Sequence, residues 1–148
     1  MWIRPGQIAD IPTIRDIVQR AYGVYIERIG RRPAPMDDDY TEQVRQGHLL
    51  VADDDGVIGL IVLIRKQDHM LIENIAVDPR WQGKGVGRAL LDYAETDARR
   101  HRLHTLRLYT NAAMTENLAL YQRLGYREDD RRGQSGFERV FLSKRLDP

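Results

Sequence analysis

The stretch from Ile75 to Leu91 (IAVDPRWQGKGVGRALL) constrains this chain more than any other. Ile75-Ala76-Val77 is apolar, has a β-branched residue at each end and is stopped by Asp78-Pro79, so it reads as a strand running into a turn. Three glycines follow at alternate positions, Gly83, Gly85 and Gly87, with Lys84 and Arg88 among them. Apolar residues then recur at Val86, Leu90, Leu91, Ala94 and Ala98, the spacing of one helix face. Glycine lets backbone N–H groups approach an anion with no Cβ in the way. A helix N-terminus adds unpaired donors and partial positive charge. The stretch therefore reads as a phosphate or pyrophosphate cradle. It is not a P-loop, because no G-x-x-x-x-G-K-[ST] occurs. The glycines run G-x-G-x-G with no early βαβ unit around them, which counts against a dinucleotide fold.

Gln82-Gly83-Lys84-Gly85-Val86-Gly87 also fits the Q/R-x-x-G-x-G/A signature of the GNAT family, the Gcn5-related N-acetyltransferases. The chain resembles that family closely over residues 70–126 and elsewhere in element order. The resemblance implies a single mixed α/β domain over residues 1–148, in the order β-α-α-β-β-β-α-β-α-β-β. Periodicity alone gives only a mixed α/β domain. The implied activity is transfer of an acetyl group from acetyl-CoA to a primary amine by direct attack in a ternary complex. Two other readings share the cradle: a CoA-binding module that senses without catalysing, and a binder of another nucleotide.

Composition narrows the setting. A chain of 148 residues is one domain by length, and 42% apolar residues suffice for one core. With 23 basic against 22 acidic side chains, a net charge of +1 gives no reason to expect nucleic acid. No apolar run is long enough to span a bilayer. Met1-Trp2-Ile3-Arg4-Pro5 lacks the pattern of a signal peptide, so no membrane partner and a cytoplasmic location are expected. With no Cys there is no thiolate metal site and no Cys nucleophile, and no metal is expected. A homodimer is what the family resemblance implies.

Taken in order, residues 1–5 suggest an edge strand. Asp10 suits an N-cap, with Pro12 in the first turn of a helix reaching about residue 26. Tyr22 and Tyr25 on its apolar stripe are core residues or cleft lining. Residues 28–39 carry an Arg cluster (Arg28, Arg31, Arg32), two prolines and Asp37-Asp38-Asp39. They read as a connector with compensating charge or as a substrate-facing lid. A short helix from Tyr40 ends at Gly47. Leu49–Val51 and Val57–Ile64 are strands joined by an Asp-Gly turn, and His69–Val77 leads into the cradle. The Asp53-Asp54-Asp55 run lacks the remaining spacing of a calcium loop. A helix from about 87 to 101, a strand from Thr105, a helix from Met114 to Leu124, a strand beginning at Tyr126 to Glu128, a loop from Arg131 to Gly136 and a last strand from Phe137 complete the chain.

Acyl transfer to an amine needs a neutral amine, a polarised thioester carbonyl and a stabilised leaving thiolate. The resemblance implies that backbone groups along Ile75, Ala76 and Val77 hold pantetheine, with the Val77 N–H facing the carbonyl oxygen. It implies that Gln82, Gly83, Lys84, Gly85, Val86, Gly87 and Arg88 hold the pyrophosphate. Gln82 stands where many members have Arg, one charge fewer. Tyr121, four residues before Gly125, matches the family's L-Y-x-x-x-G-F/Y segment, whose Tyr acts as general acid. Otherwise it is a core Tyr of an amphipathic helix. Many members have an Asn seven residues before that Tyr. Met114 stands there, so Asn111 or Asn117 is the candidate pantetheine contact. Glu73 shares strand parity with Ile75 and Val77 and is the candidate base, directly or through water; otherwise it is a carboxylate paired with an Arg. Asp78 is a weaker alternative base.

Overall fold

The structure, a computed structural model, describes residues 1–147. Its strands are β1 (Trp2–Pro5), β2 (Leu49–Asp53), β3 (Val57–Arg65), β4 (Met70–Val77), β5 (Thr105–Asn111), β6 (Arg127–Gln134) and β7 (Phe137–Arg145). They form one mixed sheet in the order β1-β2-β3-β4-β5-β7-β6. β4 and β5 pair in parallel, Met70–Ile72 with Leu106–Leu108. The pairs β1–β2, β2–β3, β5–β7 and β6–β7 are antiparallel. The helices are α1 (Ile11–Gly23), the single turn α2 (Ile26–Ile29), α3 (Tyr40–Arg45), α4 (Val86–Arg100) and α5 (Thr115–Arg123). The fold class is the mixed α/β one expected, with α2 as an added turn. Among the described residues no helix is long and apolar enough to cross a membrane.

Met1–Leu63 and Asn74–Tyr93 make one compact unit. The α1 stripe of Ile11, Ile14, Ile17, Val18 and Tyr22 is buried. Asp10 stands at the N-cap position of α1, as expected, but its side chain makes no cap bond to the helix. Its carboxylate accepts instead from Arg4 at 2.8 and 3.0 Å and from the Gln7 N–H at 2.8 Å, because a forked guanidinium is a stronger partner than a lone amide. β3 is buried from Ile58 to Leu63, as its nearly continuous apolar run requires. Gly59 breaks that run for a steric reason. A Cβ there would lie 3.1 Å from Val86 Cγ1 and 3.2 Å from the Ala76 carbonyl oxygen. The first turn of α4 thus sits directly on β3, which fixes where its N-terminus points.

The 28–39 segment is more ordered than a loop. Ala34–Asp37 form a 3₁₀ turn that buries Met36. Arg32 pairs with Asp37 at 3.1 Å, and Asp39 accepts from the Glu42 N–H at 3.0 Å to cap α3. The two charge clusters partly answer each other, as the connector reading requires.

Ile64–Glu73 and the residues from Ala94 onward make the other unit. Met70, Leu106, Leu108, Leu118, Tyr121, Val140 and Leu142 are buried in it. The loop expected from Arg131 to Gly136 is instead strand as far as Gln134, with Arg131 opposite Val140 and Gln134 opposite Phe137. Only Ser135 and Gly136 turn, with φ of 55° and 81°, the conformation of a tight hairpin. The strand expected to begin at Tyr126 to Glu128 is present, but every residue of β6 is exposed, so no apolar alternation marked how far it runs.

Candidate functional site

β4 alternates strictly. Met70, Ile72, Asn74 and Ala76 are buried, while Leu71, Glu73, Ile75 and Val77 are partly exposed. Its backbone alternates too. The Asp78 N–H bonds the Ile58 carbonyl of β3 at 2.8 Å, so Ile75 and Val77 turn their N–H and C=O groups toward the opposite edge. There the Ile75 carbonyl accepts from Tyr22 Oη at 2.9 Å and the Val77 carbonyl from Gln82 Nε2 at 3.3 Å. Side chains, rather than a strand, hold these two carbonyls.

The chain leaves β4 through a charged clamp. Asp78 is buried and accepts from Arg20 at 2.8 and 3.1 Å, from Arg80 Nη2 at 3.0 Å and from the Arg80 N–H at 3.0 Å. Arg20 first, then Arg80, hold its carboxyl well below the usual carboxylate range, against the opposing effect of burial. So low a proton affinity removes Asp78 as a base; it shapes the Pro79–Trp81 turn that it caps. Asp78→Asn is expected to lower stability by about 2 kcal/mol at neutral pH, since charge-assisted bonds are lost from a buried site. The folded-state pKa is depressed, so the stabilisation is full above the unfolded value of about 4 and fades as pH falls below it. Urea denaturation of both proteins at pH 7 and pH 3 should show the gap narrowing in acid.

Beyond the clamp, Gly83 and Gly85 have φ of 77° and 87°, and a Cβ at either would meet nothing within 4 Å. The first ladder bond into α4 runs from the Ala89 N–H to the Gly85 carbonyl at 3.0 Å. The amides of Val86, Gly87 and Arg88 therefore stand ahead of the ladder. Lys84 lies 5.4 Å from the Trp81 ring centroid, and Lys84 and Arg88 are exposed. No acidic side chain lies between Gln82 and Arg88. This is an open, donor-rich, cationic turn with space where side chains would otherwise stand, and it fits a pyrophosphate.

Ile75, Ala76, Val77 and Gln82–Arg88 fall together in one unit, and Glu73, Asn111, Asn117 and Tyr121 in the other. Glu73 is partly exposed, and no Arg or Lys pairs with it among the described residues. Asn111 Oδ1 accepts from the Ala113 N–H at 2.8 Å and is committed to its own turn. Asn117 is partly exposed, one helical turn before Tyr121. Tyr121 is 6% exposed and lies edge-on to Tyr126, ring centroids 5.7 Å apart. Burial pushes its phenol up, so it keeps its proton through neutral pH.

Sequence reasoning missed Asn74. It is 4% exposed, accepts from the Tyr22 hydroxyl and donates to Tyr40 Oη at 2.9 Å. The signal was present: a polar residue at the buried parity of an apolar strand must have partners. A pocket of about 270 Å³ lies against the same region, lined by Arg15 and Gln19 of α1, by Asp37 and Asp38, and by Tyr40.

The sequence matches the acetyltransferase (GNAT) family profile over residues 11–126. The chain belongs to the GNAT family. YxbD of Bacillus subtilis (strain 168), an uncharacterized protein, is 36% identical to it over 83 residues, 56% of this GNAT chain and 51% of that protein. The [ribosomal protein bS18]-alanine N-acetyltransferase of Escherichia coli (strain K12) is 39% identical over 61 residues, 41% of each. The chain thus spans about half the length, or less, of the curated relatives it matches. In structure it is similar to the PaiA N-acetyltransferase of Thermoplasma acidophilum in complex with coenzyme A, with a TM-score of 0.83 over 98% of each chain at 17% identity. That likeness is one of fold.

Proposed function

We propose that this GNAT chain transfers the acetyl group of acetyl-CoA to a primary amine by direct attack in a ternary complex. The observation that carries the reading is the cradle: two open left-handed glycines, three amides ahead of the helix ladder, and two cations. Its amides and the side chains of Gln82, Lys84 and Arg88 bind the pyrophosphate. The outward edge of β4 at Ile75 and Val77 binds the pantetheine amides, and the Val77 N–H donates to the carbonyl oxygen as negative charge grows there. Acetyl-CoA supplies the activated acyl group.

The remaining roles follow from surroundings. Tyr121 donates a hydrogen bond to the departing sulfur. Glu73, partly exposed and without an Arg or Lys partner among the described residues, takes the amine's proton directly or through water. Asn117, whose side chain has no hydrogen-bond partner among the described residues, is a better pantetheine contact than Asn111, whose oxygen is used locally. Glu73→Gln is expected to reduce kcat about tenfold without changing the affinity for CoA, because water relays only part of the base's contribution. Steady-state kinetics beside calorimetry check this.

The test of the whole reading is thiol release from acetyl-CoA across a panel of amines. Peptide α-amines head the panel, because the E. coli relative is a ribosomal-protein alanine N-acetyltransferase. Polyamines, amino acids, aminoglycosides and proteins with exposed Lys side chains complete it. Turnover with any member supports transfer. Tight acetyl-CoA binding with silence across peptides, proteins and small amines overturns it in favour of a sensing module.

A further inference from the structure

The buried side chains behind the outward edge of β4 form a continuous chain. Tyr22 Oη lies 2.9 Å from the Ile75 carbonyl oxygen and 2.5 Å from Asn74 Oδ1. Asn74 Nδ2 donates to Tyr40 Oη at 2.9 Å. Tyr40 Oη donates to the Pro35 carbonyl at 2.5 Å. Pro35 belongs to the Ala34–Asp37 turn, whose Asp37, with Asp38 and Tyr40, lines the pocket against α1. Tyr22, Asn74 and Tyr40 are 8%, 4% and 1% exposed. The chain therefore runs from a backbone edge to a surface turn with almost no water along it.

Proton counting makes it responsive. A phenolic hydroxyl has one hydrogen to donate, and that of Tyr22 faces both Asn74 Oδ1 and the Ile75 carbonyl oxygen. A donor reaching the Ile75 carbonyl from the outward edge competes with Tyr22 for that oxygen and biases Tyr22 toward Asn74. We propose that Tyr22, Asn74 and Tyr40 are positioning residues that report occupation of the Ile75 edge to the Ala34–Asp37 turn. This rests on the reading that a pantetheine amide binds that edge. When that amide also donates to the Ile75 carbonyl, two donors share one oxygen, each of those bonds weakens, and the Tyr22 proton shifts toward Asn74 Oδ1. The Asn74 amide is then more polarised toward Tyr40, and Tyr40 grips the Pro35 carbonyl more firmly. The turn beside the pocket stiffens once the acyl donor is in place.

Amide hydrogen exchange reads this directly. The Met36 N–H bonds the Pro33 carbonyl and the Asp38 N–H the Pro35 carbonyl, so both report on the turn. In the unaltered protein, saturating acetyl-CoA is expected to slow their exchange about threefold or more. Tyr40→Phe cuts the chain at its far end and leaves the Ile75 edge intact. It should bind acetyl-CoA within about twofold of the unaltered protein, by calorimetry, and lose the slowing. Tyr22→Phe should lose it too, with acetyl-CoA binding unchanged or tighter. Slowing that persists in Tyr40→Phe, or its absence in an unaltered protein that binds acetyl-CoA, overturns the coupling alone. No binding of acetyl-CoA by the unaltered protein overturns both the coupling and the functional reading beneath it.

Discussion

Gly85→Asp is expected to weaken CoA binding at least about 100-fold while moving the melting temperature by only a few degrees. Three effects act in the same direction on binding. Gly85 has φ of 87°, a conformation that costs an ordinary L-residue about 1–2 kcal/mol. The new Cβ and carboxylate fill the open space above the turn, where a phosphate oxygen would approach the amides of Val86, Gly87 and Arg88. The added negative charge repels the phosphate and pairs with Lys84 or Arg88. Losing even one charge-assisted bond costs about 1.5–3 kcal/mol, so the sum reaches the 2.7 kcal/mol or so that 100-fold requires. Folding is affected far less, because nothing lies within 4 Å of the introduced Cβ and only the backbone strain is felt. Calorimetric titration with CoA and a thermal melt separate the two. Unchanged affinity in a folded variant would remove the cradle from the phosphate site.

The parts of this fold that were legible in the sequence are those where one physical demand left one residue type. The open turn at Gly83 and Gly85 needs positive φ without side chains, and only glycine meets that freely. The nearly continuous apolar run of β3 requires burial, and the α4 stripe of Val86, Leu90, Leu91, Ala94 and Ala98 is buried as spaced. Where polar residues carry the structure, the pattern was silent. β6 pairs through its backbone with eight exposed side chains, so nothing in its period separates strand from loop. Asp10 and Asp78 both looked available, one as a cap and one as a base. Each is claimed by an arginine distant in sequence or brought close by a turn, Arg4 for one and Arg20 with Arg80 for the other. Partners 58 residues apart, as Arg20 and Asp78 are, leave no local trace. Asn74 is the same case in the core, since its parity announced partners without saying that they were Tyr22 and Tyr40.

Tyr121→Phe is expected to lower kcat about 100-fold and leave CoA affinity within about twofold. Burial raises the phenol above its ordinary value of about 10, whereas a free thiol titrates near 8.5. Full proton transfer from Tyr121 to a thiolate is therefore uphill, and its contribution is a hydrogen bond that strengthens as charge collects on the sulfur. That bond is made chiefly in the transition state, so removing it lowers kcat and spares binding. A single donor of this kind in a water-poor site is worth about 10²–10³ in rate, and sulfur, a weak acceptor, sets the lower end. The edge-on contact with Tyr126 involves the ring, which Phe retains, so stability should change little. The raised pKa adds a second signature. With the phenol still protonated, turnover of the unaltered enzyme should show no decline assignable to Tyr121 below about pH 10. Thiol-release kinetics against pH and calorimetry with CoA measure both. Undiminished kcat in Tyr121→Phe would return the residue to the core role that its 6% exposure also suits.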